Sequence, residues 1–123
     1  MTVLRYVGNF IELGYDDYVD APSLQALRDR RRPGNKEALI AYLNAGVTLV
    51  FAPGFDRDVL DETRDAGSSS IATDGTYAWP RTLAYYLERY DVALPEEFER
   101  HAEQNRWHVP DGIAIGKLTL PEP

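Results

Sequence analysis

Cysteine is absent from the chain, and with it go disulfide frameworks, thiolate metal sites and thiol catalysis. Long apolar runs are missing too. Nothing approaches the roughly eighteen apolar residues that carry a helix across a bilayer, and Met1-Thr2-Val3-Leu4-Arg5-Tyr6 lacks a basic stretch followed by an apolar one. A cytoplasmic location is therefore expected, with no membrane partner. Positive charge is scarce: 13 Lys and Arg stand against 20 Asp and Glu, a formal net charge of −7. Nucleic acids and anionic membranes select for positive surface, so neither is an expected partner, whereas a basic protein would be steered in. Acidity of this size also serves solubility by itself. No Gly-x-Ser-x-Gly elbow surrounds Ser68-Ser69-Ser70, and no phosphate loop or paired nucleophile and base is recognisable.

What remains is a chain of 123 residues, 44% apolar, enough for one domain with a real core. Residues 1–110 are expected to form it, with 111–123 as a tail or an edge strand through Ile113, Ile115 and Leu118. The most informative stretch is Thr73-Asp74-Gly75-Thr76-Tyr77-Ala78-Trp79-Pro80. Asp-Gly between short alternating runs predicts a two-residue hairpin turn, and Pro80 suits the first residue of a helix. Strands are expected at 3–7, 47–51, 69–73 and 76–79, the apolar 47–51 run being central to its sheet. Helices are expected after Pro22 and Ser23, ending at Pro33-Gly34, and after Asn35, with Leu39, Tyr42 and Leu43 inward and Gly46 as left-handed terminator. Two more follow, one with Leu83, Tyr86, Leu87 and Tyr90 inward, one with Phe98 and Ala102 inward. Residues 55–67 read as a polar connection. The fold class is α+β: a small antiparallel sheet of about three strands against about four helices.

Candidate sites are few. Glu97 and His101 stand one helical turn apart but offer two ligands where zinc takes three or four, so no metal site is expected. The acidic clusters Asp16, Asp17, Asp20 and Asp56, Asp58, Asp61, Glu62 lack the alternating ligands and central glycine of a calcium loop. They read as solvated loops. Arg28, Arg30, Arg31, Arg32 and Lys36 resemble a phosphate site in isolation, but a helix C-terminus favours positive charge for structural reasons. Eight tyrosines and two tryptophans are a high aromatic load. Tyr42, Tyr86 and Tyr90 fall on apolar stripes, whereas Tyr15, Tyr18, Tyr77 and Tyr85 do not, and an aromatic face ringed by acidic loops suits protein binding.

The order Ala21-Pro22-Ser23-Leu24, Ala41-Tyr42-Leu43-Asn44-Ala45-Gly46, Asp58-Val59-Leu60-Asp61, the 73–80 stretch, Leu83-Ala84-Tyr85-Tyr86-Leu87 and Leu94-Pro95-Glu96-Glu97-Phe98 resembles a family of small, mostly uncharacterised actinobacterial proteins. The resemblance spans residues 14–110. It implies a compact domain and brings no catalytic position; Tyr77 stands where members have tryptophan. Members look similar in size and acidity to immunity proteins that neutralise bacterial toxins. The expected function is a non-enzymatic protein-binding domain, most concretely an immunity-type inhibitor of a basic toxin or effector, without cofactor or catalytic residues. Its partner surface is expected at Tyr15, Asp16, Asp17, Tyr18, Asp20, Asp56, Asp58, Asp61, Glu62 and Tyr77. The alternative is a small hydrolase or ligand-binding enzyme using carboxylates in an acidic cleft.

Overall fold

In the computed structural model, which describes residues 1–14 and 20–122, the chain opens with strands β1 (Thr2–Val3) and β2 (Arg5–Tyr6) and a 3-10 turn at Ile11–Leu13. Glu12 in that turn builds the start of α1 (Leu24–Leu27): its carboxylate accepts from the Leu24 and Gln25 amides at 2.7 and 2.8 Å and from the Ser23 hydroxyl at 2.9 Å. Orphan helix N–H groups thus find an anion at the positive end of the dipole. The helix is shorter than expected and stops at Arg28, where Asp29 turns left-handed, so Arg30, Arg31 and Arg32 lie in a loop and not at a helix end.

Helix α2 (Lys36–Ala45) buries Leu39, Tyr42 and Leu43, the face expected from helical spacing. Its termini differ from expectation. Asn35 is left-handed and makes no side-chain cap, and Gly46 has φ −56°. Glycine is required at 46 for another reason: a Cβ there would meet Trp79 Cζ2 at 2.6 Å. Strands β3 (Val47–Val50), β4 (Phe55–Asp58), β5 (Asp61–Ser68), β6 (Ile71–Thr73) and β7 (Tyr77–Pro80) follow, then α3 (Leu83–Tyr90), α4 (Glu96–Gln104), a 3-10 turn at Ile115–Lys117 and β8 (Leu118–Thr119).

The architecture is α+β, but the main sheet has four strands in the order β2-β7-β6-β3, and β2 pairs with β7 in parallel. Two further ladders exist: β4 with β5, antiparallel, and β1 with β8, parallel. The 55–67 stretch is therefore a hairpin and not a connection. Strand β3 is an edge, not the centre, and Phe51 is 78% exposed. Pro80 ends β7 beyond the β2 ladder, where its missing N–H costs no pairing, and α3 starts three residues later.

The hairpin at 74–77 also differs in detail. The Asp74 amide donates to the Tyr77 carbonyl, so Gly75 and Thr76 reverse the chain, and only Gly75 has positive φ, at 96°. Asp74 instead caps the turn, its Oδ1 accepting from the Thr76 and Tyr77 amides at 2.9 and 2.7 Å. Behind it lies the core. Trp79 donates its indole N–H to the Leu43 carbonyl at 3.1 Å and packs with Tyr42 and Phe98, linking sheet, α2 and α4. Leu83, Leu87 and Tyr86 of α3 close its other side.

Candidate functional site

Strand β3 leaves the core and presents Val47, Val50 and Phe51 to solvent; Phe55, at the start of β4, is 77% exposed. The stretch between them is held firmly. Ser70 Oγ accepts from the Ala52 amide at 2.9 Å and donates to its carbonyl, while the Ser69 amide donates to the Gly54 carbonyl. The serine run is thus a fastening for the 51–55 turn. No further strand pairs with β3 among the described residues, so one edge of the main sheet ends beside two exposed phenylalanines. The neighbouring β4–β5 hairpin carries exposed Asp56, Glu62 and Asp65, with Arg57 and Arg64 of opposite sign.

One residue of that hairpin is buried in a different sense. Asp58, 0% exposed, accepts from the Tyr85 and Tyr90 hydroxyls at 2.6 and 2.5 Å and from the Leu60 and Asp61 amides at 2.7 and 3.2 Å. Arg89 Nε lies 3.9 Å away. Burial opposes ionisation, but the four donors outweigh it and hold the carboxyl below its ordinary range. The Val59 amide donates to the Tyr86 hydroxyl at 3.1 Å, and burial pushes that phenol up to about 12. Asp58, Val59 and three tyrosines of α3 therefore clamp the hairpin to the core. Asp58 was expected on a partner surface; its oxygens are fully engaged inside the molecule.

Tyr77 likewise leaves the expected surface. It is buried, its ring 5.0 Å from that of Phe98 and 5.2 Å from that of His101. Asp20, Asp56 and Glu62 are exposed; Asp61 is half-buried, bonded to Thr63 and 3.8 Å from Arg89. Tyr15, Asp16, Asp17 and Tyr18 fall outside the described residues. The expected surface is thus only partly assembled, and the exposed aromatics beside it are Phe51, which the 47–51 run had assigned to a central strand, and Phe55, the first residue of the expected polar connection. An apolar run of five residues reads the same at an edge as at a centre, so residue type alone carried no signal of the exposure of Phe51.

A second buried carboxylate was also missed. Asp74 Oδ2 accepts from Tyr42 Oη at 2.6 Å and lies 3.3 Å from Nε2 of His101, a side chain 25% exposed; Asn105 Nδ2 reaches Tyr42 Oη at 3.1 Å. His101 therefore faces Asp74 of the turn, not Glu97 of its own helix. Among the described residues, no three His, Asp or Glu side chains gather as a metal set, and no helix is long and apolar enough to cross a membrane. No protein-family model, characterised protein or solved structure matches the chain.

Proposed function

We propose that the chain is a protein-binding domain that receives a basic partner on the β3 edge, with Phe51 and Phe55 as anchors and the acidic β4–β5 hairpin as rim. The exposure of these two phenylalanines, 78% and 77%, carries the reading. Large apolar side chains held outward by a fastened turn cost solvation in the free protein and gain it back under a partner. The free strand edge supplies backbone groups for pairing, and Asp56, Glu62 and Asp65 favour a partner of positive charge. An immunity-type inhibitor of a basic toxin is the most concrete form of this function. A hydrolase working through buried carboxylates finds no support in Asp58 or Asp74, whose oxygens are occupied by internal donors.

The test compares the protein with its Phe51→Ser, Phe55→Ser double variant, each immobilised and exposed to lysate of its source organism. A basic protein retained by the first and lost from the second is expected, with an association rate that falls as salt rises. Equal retention by both, or binding indifferent to salt, would remove the surface from consideration.

A further inference from the structure

Asp-Gly stands at the turn of the β6–β7 hairpin and again at Asp111-Gly112, and nowhere else in the chain; Asn-Gly is absent. The pair carries a chemistry of its own. The glycine amide nitrogen can attack Cγ of the preceding protonated carboxyl: an N–Cγ bond forms, a C–O bond breaks, and the hydroxyl leaves with the amide proton as water. Water then opens the resulting succinimide ring on either side. Opening at Cγ restores aspartate, whereas opening at the α-carbonyl carbon leaves the main chain running through Cβ and Cγ, as isoaspartate. A glycine after the aspartate favours closure because no Cβ hinders the close approach. No co-reactant beyond water is needed, so local structure decides where the reaction runs.

The fold treats the two sites in opposite ways. Asp74 is buried: Oδ1 accepts from the Thr76 and Tyr77 amides, Oδ2 accepts from the Tyr42 hydroxyl, and the Gly75 amide itself donates to Thr73 Oγ1 at 3.0 Å. Ring closure there would break several buried hydrogen bonds together and pull the carboxylate away from His101. None of these restraints exists at 111. Asp111 and Gly112 are exposed and lie outside every helix and strand, between buried Val109 and half-buried Ile113. Among the described residues the Asp111 carboxylate enters no hydrogen bond or ion pair, and the Gly112 amide donates to no acceptor. A Cβ at Gly112 would meet nothing within 4 Å, so the space beside it is open.

We propose that Asp111-Gly112 is a modification site, at which the folded protein forms isoaspartate while Asp74-Gly75 is preserved. The product carries a free α-carboxylate on an exposed loop. That makes the modified chain a substrate for a methyltransferase that uses S-adenosylmethionine to esterify isoaspartyl carboxylates. The methyl group passes to a carboxylate oxygen and S-adenosylhomocysteine is released. The Gly112 nitrogen then closes on the ester carbon, methanol leaves, and the succinimide can reopen to aspartate.

The experiment ages the intact folded protein for several weeks at near-neutral pH and physiological temperature. The protein is then labelled with a purified isoaspartyl methyltransferase and S-adenosylmethionine carrying a tritiated methyl group, and its peptides are separated and fragmented. Isoaspartate and label should accumulate with time in the peptide that holds Asp111 and stay absent from the one that holds Asp74. A parallel sample aged in urea lacks the fold, and there both pairs should convert. Asp111→Glu keeps the charge but would have to close a larger ring, so the label should be lost from the folded variant. The proposal is overturned if isoaspartate is missing from the Asp111 peptide of the folded protein, or is no more abundant there than at Asp74. Isoaspartate at 111 that takes up no label, an Asp74 pair that stays intact in urea, or labelling undiminished in Asp111→Glu would overturn it equally.

Discussion

Two antiparallel hairpins, β4–β5 and β6–β7, could hardly be more different in what surrounds them. In β6–β7 all residues but Ile71 are buried, and Trp79 joins it to two helices. In β4–β5 only Asp58 and Ala66 are buried, and the ladder carries two irregularities in its register. Both pair through the backbone, so pairing alone does not decide burial. What separates them is the means of attachment. One hairpin is welded by side-chain area, the other is fastened chiefly by the Asp58 carboxylate and the tyrosines of α3, with Ala66 alone of its apolar side chains fully in the core. A hairpin held at a few internal points, Asp58, Val59 and Ala66 among them, leaves most of its outer side chains free to be chosen for a partner, which the packed hairpin cannot do.

Removing the weld should cost most. Trp79→Ala is expected to lower stability by about 3–5 kcal/mol in urea titrations, since it empties the centre of the core and orphans the Leu43 carbonyl. A loss no greater than that of any hairpin substitution below would erase the distinction drawn here.

Next comes the fastening. Asp58→Asn puts an amide donor against hydroxyl and amide donors and should cost about 1–3 kcal/mol. It should also change the pH response. The folded carboxyl titrates below its ordinary value of 3.8, so its contribution is complete above that pH and drains away as pH falls through the folded value. Denaturant midpoints taken from neutral pH into the acid range should therefore fall less steeply for Asp58→Asn. An unchanged acid limb would show that the clamp does not depend on the charge.

The turn of the packed hairpin offers a smaller effect. Gly75→Val forces a β-branched residue to φ 96° and should cost about 1–2 kcal/mol, read from the thermal midpoint. Smallest of all, Phe51→Ser and Phe55→Ser should each move stability by less than about 0.5 kcal/mol, because little around either side chain is lost. A substantial destabilisation would mean that these rings pack against the molecule and are not held out for a partner.

Helix faces were the most legible part of the chain. Leu39, Tyr42 and Leu43, then Leu83, Tyr86, Leu87 and Tyr90, then Phe98 and Ala102, are all buried, because helical spacing records which side meets the core. Strands gave up less. The 61–68 run is polar and lacks alternation, since Ala66 is the one residue of β5 that reaches the core, so nothing marks it as a strand. Parallel pairing of β2 with β7 depends on the whole chain returning, which no local pattern encodes. Both buried carboxylates escaped notice for a similar reason. The partners of Asp58 come from α3 and those of Asp74 from α2 and α4, so their burial is written in residues some 27 to 32 positions away. The arginine run was visible as a cluster, but nothing in it marked Arg31 as the one drawn inward to Glu99.

Consider finally the ladder that joins Thr2 with Leu118 and Val3 with Thr119. During synthesis the first strand emerges long before its neighbour exists, and β2 must similarly wait for Tyr77 and Ala78. The segment that holds β1 and β2 therefore stays unpaired until strands far along the chain exist, and its two ladders close long loops. Contacts of such long sequence separation form late, as a clasp is shut, and a partner or chaperone that bound residues 2–6 early would delay the closing step and spare the locally folded helices.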